Sequence, residues 1–104
     1  MTTYDEFRRA EVFLAAGQPT EAARILESVV EAAPESTAAL ELLARALFAS
    51  AQLGRAESVL RVLTDRCPDD GWAWAALART LERQSRHDEA RVPRRFAAAL
   101  GVPA

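Results

Sequence analysis

The residue types that usually carry catalysis or metal binding are scarce in this chain. His87 is the only histidine and Cys67 the only cysteine. No metal-binding motif such as CxxC or HExxH lies near either residue. Metal sites need clusters of ligands, and nucleophilic catalysis needs a Ser or Cys beside a base. The sequence has neither a G-x-S-x-G turn nor a phosphate-binding glycine loop. We therefore expect no enzymatic activity, no metal site and no cofactor, with His87 in an exposed turn and Cys67 as a partly buried thiol.

Arginine is the abundant group with specific binding chemistry. All 13 basic residues are arginine, and 15 acidic residues give a net charge of −2. Six arginines fall between Arg79 and Arg95, but Glu82, Asp88 and Glu89 interrupt them. This balance argues against nucleic acid as a partner and favours a solvated helix face. The charge is also uneven, because residues 1–52 hold four Arg and eight acids while residues 53–104 hold nine Arg and seven acids.

The elements that must position these side chains repeat along the chain. Small and apolar residues recur at an interval of 34 residues, in the series Ala10/Ala44/Ala78, Phe13/Leu47/Leu81, Ala22/Ala56/Ala90 and Pro34/Pro68. A fixed interval of this length indicates helical hairpins that stack on one another, because a single hairpin cannot bury its apolar face alone. The small residues are expected where the two helices of a hairpin approach most closely.

The spacing within each repeat is helical, and turn residues separate six segments. Apolar residues recur three and four positions apart with no alternation of period two. We predict helices over 3–16, 19–33, 37–50, 53–66, 71–84 and 88–100. Pro19 suits a first helical turn, and Ser36 or Asp70 can cap the helix that follows it. Pro34 and Pro68 mark the ends of the second and fourth helices.

The repeat resembles the tetratricopeptide repeat family. The second unit reads Leu40-x2-Leu43-Ala44-x2-Leu47, then Ala56-x3-Leu60 and Pro68, and the third begins Trp74-x2-Leu77-Ala78-x2-Leu81. The resemblance implies an all-α, right-handed α-solenoid of three helix-turn-helix hairpins. The expected organisation is one domain over residues 1–104, with repeats of approximately 3–36, 37–70 and 71–104.

The first and third repeats depart from the family pattern. Glu6 and Arg9 stand where later repeats have large apolar residues, so the first helix is expected to be rotated, shifted or loosely docked, with an outer surface that caps the array. Arg94 stands where Leu26 and Leu60 lie in the other repeats. Pro93 falls inside the last helix, where it removes a hydrogen bond, so we expect that helix to be kinked, shortened or late in starting.

Family arrays commonly finish with an extra amphipathic helix, and the residues up to Ala104 leave no room for one. Two alternatives follow. Either Arg91, Arg94 and Arg95 make the last helix its own polar cap, or a second copy covers Phe96 and Leu100. The expected oligomer surface comprises Arg94, Phe96 and Leu100.

The resemblance also implies a concave groove, lined by the first helix of each repeat, in which family members hold a partner segment. In this sequence the groove positions are Tyr4, Phe7, Glu11, Leu14, Glu41, Arg45, Phe48, Trp72, Arg79, Glu82 and Arg83. The 34-residue interval between Arg45 and Arg79 would let both hold one anion. Surface salt bridges to Glu11, Glu41 or Glu82 are the alternative role for these arginines.

These features predict an adaptor that binds a peptide or helix of another protein, with no small-molecule substrate. The alternative is a structural protein that assembles with copies of itself, for example as a homodimer. An enzyme remains conceivable only if a partner supplies the catalytic groups. The first residues do not form a signal peptide, no apolar run is long enough for a membrane span, and one cysteine fits a reducing compartment, so we expect a soluble cytoplasmic protein.

Overall fold

The computed structural model describes residues 1–103, which contain six α-helices and no β-strand. The helices are α1 Thr3–Ala15, α2 Pro19–Ala32, α3 Thr37–Ala49, α4 Leu53–Arg66, α5 Gly71–Arg83 and α6 His87–Ala99. Every bound lies within one residue of the predicted helix. The expectation of an all-α fold with six helices is confirmed.

The first helices of the repeats begin at a cap that keeps the 34-residue interval. At each cap, a side-chain oxygen accepts a hydrogen bond from the backbone N–H three residues later. The distances are 3.0 Å for Thr2, 3.2 Å for Ser36 and 3.2 Å for Asp70. Such a bond satisfies one of the donors that a helix start leaves without an intrahelical partner. The predicted caps Ser36 and Asp70 are therefore confirmed, and Thr2 adds a third.

The turn inside each hairpin also repeats. Gly17, Ala51 and Ser85 adopt left-handed backbone conformations with φ of 76°, 60° and 60°. The next N–H in each turn donates to a carbonyl five residues earlier, at 2.9, 2.8 and 2.9 Å. This arrangement is the Schellman motif, which ends a helix and redirects the chain.

The first compact unit comprises Met1–Gln52. Helices α1 and α2 form a hairpin, and α3 packs on α2 and also touches α1. Ala10 and Ala22 are completely buried, as expected for a close helix approach, and Leu26 and Leu47 fill the core beside them. The second repeat contributes α3 to this unit.

Helix α1 keeps the register of the other first helices. It starts at the position equivalent to Thr37 and Gly71, and Ala10 is buried like Ala44 and Ala78, so the expected rotation or shift is not observed. Glu6 and Arg9 instead form a surface ion pair at 3.3 Å, and the Arg9 guanidinium lies 5.7 Å from the centre of the Phe13 ring. The two charges are accommodated because the face that carries them is open to solvent.

The second compact unit begins at Leu53 and contains α4, α5 and α6. Helices α5 and α6 form the hairpin of the third repeat, and α4 packs against α5. Ala78 and Ala90 are buried at the equivalent positions to Ala10 and Ala22. The assignment of the whole chain to one domain stays a prediction.

Helix α6 runs through Pro93 without interruption. It begins at His87, the position equivalent to Pro19 and Leu53, and ends one residue earlier than α2 and α4 do in their repeats. The helix is therefore shortened by one residue at its end, and the expectation of a late start is wrong. Pro93 is buried.

The segment after α6 turns back onto the start of α5. Gly101 has φ of 87°, and the Val102 N–H donates to the Ala97 carbonyl at 2.9 Å. A Cβ placed on Gly71 would lie 2.6 Å from Cγ2 of Val102. Glycine at position 71 thus makes room for the chain that follows the last helix.

Candidate functional site

The predicted groove residues of α1 lie on one side of that helix at spacings of three and four residues. Tyr4 is exposed, and Phe7 and Leu14 are half-buried. Glu11 pairs with Arg8, with 3.0 Å between Nη1 and Oε1. This helix therefore offers an aromatic side chain and partly covered apolar groups, while its acid is already occupied by an arginine of the same helix.

Helix α3 presents the second set, and its other faces are buried. Arg45 is exposed between the half-buried Glu41 and Phe48, while Ala44 and Leu47 are buried on either side. Because α1 touches α3 within the first unit, the α1 and α3 sets lie on neighbouring helices. The exposed guanidinium beside a partly accessible phenyl ring is suited to an acidic group next to an apolar one.

Helix α5 carries the third set. Trp72 and Glu82 are half-buried, and Arg79 and Arg83 are exposed. Glu82 forms an ion pair with Arg94 of α6. The predicted groove residue Glu82 and the predicted oligomer residue Arg94 are thus each other's partner. Sequence spacing does not reveal this pairing, because the two residues lie on different helices.

The Glu82 and Arg94 pair borders a cavity of about 230 Å³ between α5, α6 and the end of the chain. Its walls combine small apolar side chains with three charged ones, namely Ala75, Ala78, Arg79, Glu82, Arg94, Ala97, Ala98, Val102 and Pro103. This volume is below the usual range of about 300–1,000 Å³ for small-molecule sites. The cavity could accept one side chain of a bound protein, and Arg79 would lie at its edge.

The predicted groove residues are divided between the two compact units. The α1 and α3 residues belong to the first unit and the α5 residues to the second. One continuous surface across all three helices stays a prediction. Glu11 pairs with Arg8, and Glu82 with Arg94. A salt bridge as the role of Arg45 or Arg79 stays a prediction.

The predicted oligomer residues divide between two sides of α6. Arg94 points to Glu82, whereas Phe96 stacks on Trp74 with ring centroids 4.5 Å apart and an interplanar angle of 17°. The indole N–H of Trp74 donates to the Pro68 carbonyl at 2.9 Å, which fixes the ring. Phe96 and Leu100 remain exposed. Val92 extends their row, and its spacing of four residues from Phe96 could have revealed it in the sequence.

A polar cluster that sequence reasoning missed connects α4 with the start of α6. Arg86 contacts Glu57 at 2.5 Å and Glu89 at 2.7 Å, while Arg61 and Gln84 also bind Glu57. Burial raises the pKa of the Glu57 carboxyl, but hydrogen bonds from Arg86, Arg61 and Gln84 outweigh it and hold that pKa below its ordinary value.

Arg86 sets the protonation of the whole cluster. Its hydrogen bonds lower the pKa of Glu89, and the same contacts with Glu89 and Glu57 raise the pKa of Arg86 itself. All three groups are therefore charged at neutral pH. The cluster joins neighbouring helices by pairing its charges, which is a structural role.

Among residues 1–103, no group of three or more His, Cys, Asp and Glu side chains is placed to hold a metal ion. His87 is exposed, and Cys67 is a half-buried free thiol. Within the same residues, no helix is both long enough and apolar enough to cross a membrane.

The comparison with known families identifies the repeat. The sequence profile described as tetratricopeptide repeat matches residues 13–71, which is more than half of the chain. The chain belongs to the tetratricopeptide repeat family. The resemblance found from the Leu40 to Leu47 and Trp74 to Leu81 patterns is thereby confirmed. Family membership supports a role in protein interaction or scaffolding.

Solved structures of MamA proteins share this tetratricopeptide repeat fold. MamA MSR-1 has a TM-score of 0.90 at 20% identity, over 95% of this chain and 57% of its own. MamA AMB-1 has a TM-score of 0.90 at 21% identity, and the match covers 99% of this chain and 57% of the MamA chain. MamA from Desulfovibrio magneticus RS-1 has a TM-score of 0.85 at 26% identity, and the match covers 91% of this chain and 54% of the MamA chain. The chain thus spans little more than half the length of these three proteins, and the likeness shows the fold.

A comparison with curated protein sequences finds no match.

Proposed function

We propose that this tetratricopeptide repeat protein is an adaptor that binds a segment of another protein through side chains of α1, α3 and α5. The observation that carries the proposal is the exposure of Arg45 and Arg79 at equivalent positions of α3 and α5. A guanidinium presents a rigid fork of donors that matches a carboxylate. The adaptor performs no chemistry of its own, and a cytoplasmic location, which the single cysteine favours, belongs to the proposal.

Aromatic side chains on the same helices as the two arginines, and on α1, support one class of partner. Tyr4 is exposed, and Phe48 and Trp72 are half-buried, so each helix adds an aromatic surface to the charged one. Aromatic and arginine side chains dominate the energetics of protein interfaces. The expected ligand is a short acidic segment with aromatic residues, either extended or helical.

The proposal is tested by reversing both charges. Arg45→Glu with Arg79→Glu should abolish capture of the partner from a native lysate, because the acidic segment would then meet two like charges. The measurement is affinity capture with mass spectrometry, followed by titration of the captured protein against wild type and variant. Helix content and melting temperature should barely change, since both side chains are exposed.

A matched control separates this effect from net charge. Arg24→Glu with Arg91→Glu makes the same change at exposed positions of α2 and α6, outside the predicted groove. The control should keep the partner. Equal capture by wild type and by the Arg45 and Arg79 variant would refute the groove assignment.

A second candidate function is self-association, in which the protein serves as a homo-oligomeric scaffold. The specific observation in its favour is the apolar surface of the last helix, where Phe96 and Leu100 are exposed. Sedimentation over a range of concentrations should then show a defined oligomer. The two functions can coexist, because the proposed groove and this surface use different side chains.

A further inference from the structure

A second cavity, of about 310 Å³, lies between α4, α5 and α6. Its apolar wall is formed by Trp74 and Leu77 of α5 together with Val92 and Pro93 of α6. The volume reaches the range of about 300–1,000 Å³ that is usual for small-molecule sites. The cavity is therefore large enough for a complete side chain of a bound protein, and all of its walls belong to the second unit.

Three charged side chains also border this cavity, and two of them are already paired. The Nε of Arg61 lies 3.0 Å from a carboxylate oxygen of Glu57, and a carboxylate oxygen of Glu89 lies 2.7 Å from a guanidinium nitrogen of Arg86. The third is the exposed Asp65, whose carboxylate has no ion pair in the part of the chain that the structure describes. The charges of the four paired groups cancel, so the cavity keeps the negative charge of Asp65.

Trp74 gives the cavity a rigid wall. Its indole N–H donates to the Pro68 carbonyl at 2.9 Å, and its ring stacks on Phe96. These contacts hold the ring in place before a ligand arrives. Binding against this wall therefore avoids the entropic cost of ordering a large side chain.

We propose that this cavity binds an arginine side chain of another protein. The guanidinium pairs with Asp65, since the two oxygens of a carboxylate match two parallel N–H donors of the fork. The aliphatic part of the arginine lies against Trp74, Leu77 and Val92. Lysine carries the same charge on a compact ammonium without this planar fork, so arginine is the better match. An acidic side chain is rejected because it meets a like charge.

This site goes beyond the proposed adaptor groove and is independent of it. None of its residues is a groove position, and its preference for charge is the opposite one. Arg45 and Arg79 are proposed to select an acidic segment, whereas Asp65 selects a basic side chain. Because Asp65 is exposed, we expect the isolated arginine to bind weakly and the binding to decrease with added salt.

The first experiment titrates the whole protein with a tripeptide that has arginine between two alanines and is capped at both ends. Proton–nitrogen correlation NMR follows the indole N–H of Trp74, which Trp72→Phe distinguishes from the other tryptophan. This resonance should shift in a saturable manner. The same peptide with citrulline, which has the shape of arginine without its charge, should bind about tenfold more weakly, as expected for the loss of a hydrogen bond between charged groups.

Matched variants test the charge and the space separately. Asp65→Asn should weaken the arginine peptide by a similar factor, whereas Asp69→Asn, at an exposed acid outside the cavity, should leave its affinity unchanged. Val92→Arg places a guanidinium of the protein itself in the cavity and should abolish binding. Val62→Arg, at an exposed valine of α4 outside the cavity, should retain it. Circular dichroism checks that each variant remains folded.

The outcomes distinguish this site from the groove and from a site for a free small molecule. An unchanged Trp74 resonance at every peptide concentration would overturn the site, as would equal affinities of the arginine and citrulline peptides or binding that survives Asp65→Asn. Binding of butylguanidinium without binding of the peptide would overturn the choice of a protein as the partner. The Arg45→Glu with Arg79→Glu variant should bind the peptide like wild type, so failure of either proposal leaves the other standing.

Discussion

Three residues adopt the same left-handed backbone conformation in successive repeats, but only one of them is glycine. Gly17 adopts its left-handed conformation without steric cost because it lacks a Cβ. Ala51 and Ser85 hold the same conformation with a side chain present. A left-handed conformation costs a residue with a Cβ about 1–2 kcal/mol. The Schellman hydrogen bond of each turn offsets this cost.

Replacing Ser85 by glycine should therefore stabilise the protein. Glycine relieves the left-handed strain but adds freedom to the unfolded chain, so the expected net gain is about 0.5–1 kcal/mol. Chemical denaturation monitored by circular dichroism measures it. Gly17→Ala is the reciprocal control and should destabilise by a similar amount, whereas equal stabilities of wild type and both variants would contradict the assignment of strain.

The Glu57 carboxylate predicts how stability depends on pH. Its side chain is 14% exposed and its pKa is lowered in the folded state. A carboxyl whose pKa is lowered by folding stabilises the protein fully when the pH is above its unfolded pKa, 4.5. This stabilisation is lost as the pH falls through the folded pKa. Acid should therefore weaken the junction between α4 and α6.

The matching variant is Glu57→Gln, which keeps the shape of the side chain and removes its charge. At pH 7 it should cost about 1.5–3 kcal/mol, the range of a hydrogen bond to a charged group. Below the folded pKa the two proteins should converge in stability. Denaturation curves at pH 7 and at a series of lower pH values provide the measurement, and a difference that does not shrink as the pH falls would exclude a role for the carboxylate charge.

At the scale of elements, the end of α6 and the start of α5 are fitted to each other. Gly71 opens α5, where alanine would ordinarily favour the helix. Val102 occupies the space that a Cβ on Gly71 would take, and Cβ of Leu100 lies 3.2 Å from that position. The chain after α6 thus packs where only a glycine leaves room.

This fit predicts a coupling between two positions. Gly71→Ala should destabilise the wild-type protein, because its Cβ overlaps Val102 Cγ2, but should do so less or not at all in a Val102→Ala background. The expected coupling is about 0.5–1 kcal/mol, within the range for residues in contact. A double-mutant cycle of denaturation free energies measures it, and additive effects would show that residues 100–102 do not pack on Gly71.

At the scale of the whole molecule, the two proposed activities use separate side chains. Partner binding is assigned to Arg45 and Arg79, and self-association to the exposed Phe96 and Leu100. The charge-reversed groove variant should still self-associate, and Leu100→Glu should still capture the partner. Testing each variant in both assays shows whether the protein is an adaptor, a scaffold or both.

The amino-acid sequence alone predicts the helices, their caps and the family. These features depend on residues at most a few positions apart, repeated three times at an interval of 34, so local chemistry reproduces them within one residue. The same regularity placed Ala10, Ala22, Ala78 and Ala90 in the core. It misjudged α1 and the start of α6, because the register that the repeat imposes outweighs unusual single residues.

Which side chains are available for binding depends on how the helices pack. Arg94 is paired with Glu82, Glu57 with Arg86, and Phe96 lies on Trp74, all between different helices. Such contacts depend on the angle between packed helices and on the reach of long side chains, neither of which appears in a periodic pattern. Sequence spacing therefore identified the helix faces, while packing determined which of their residues remain exposed.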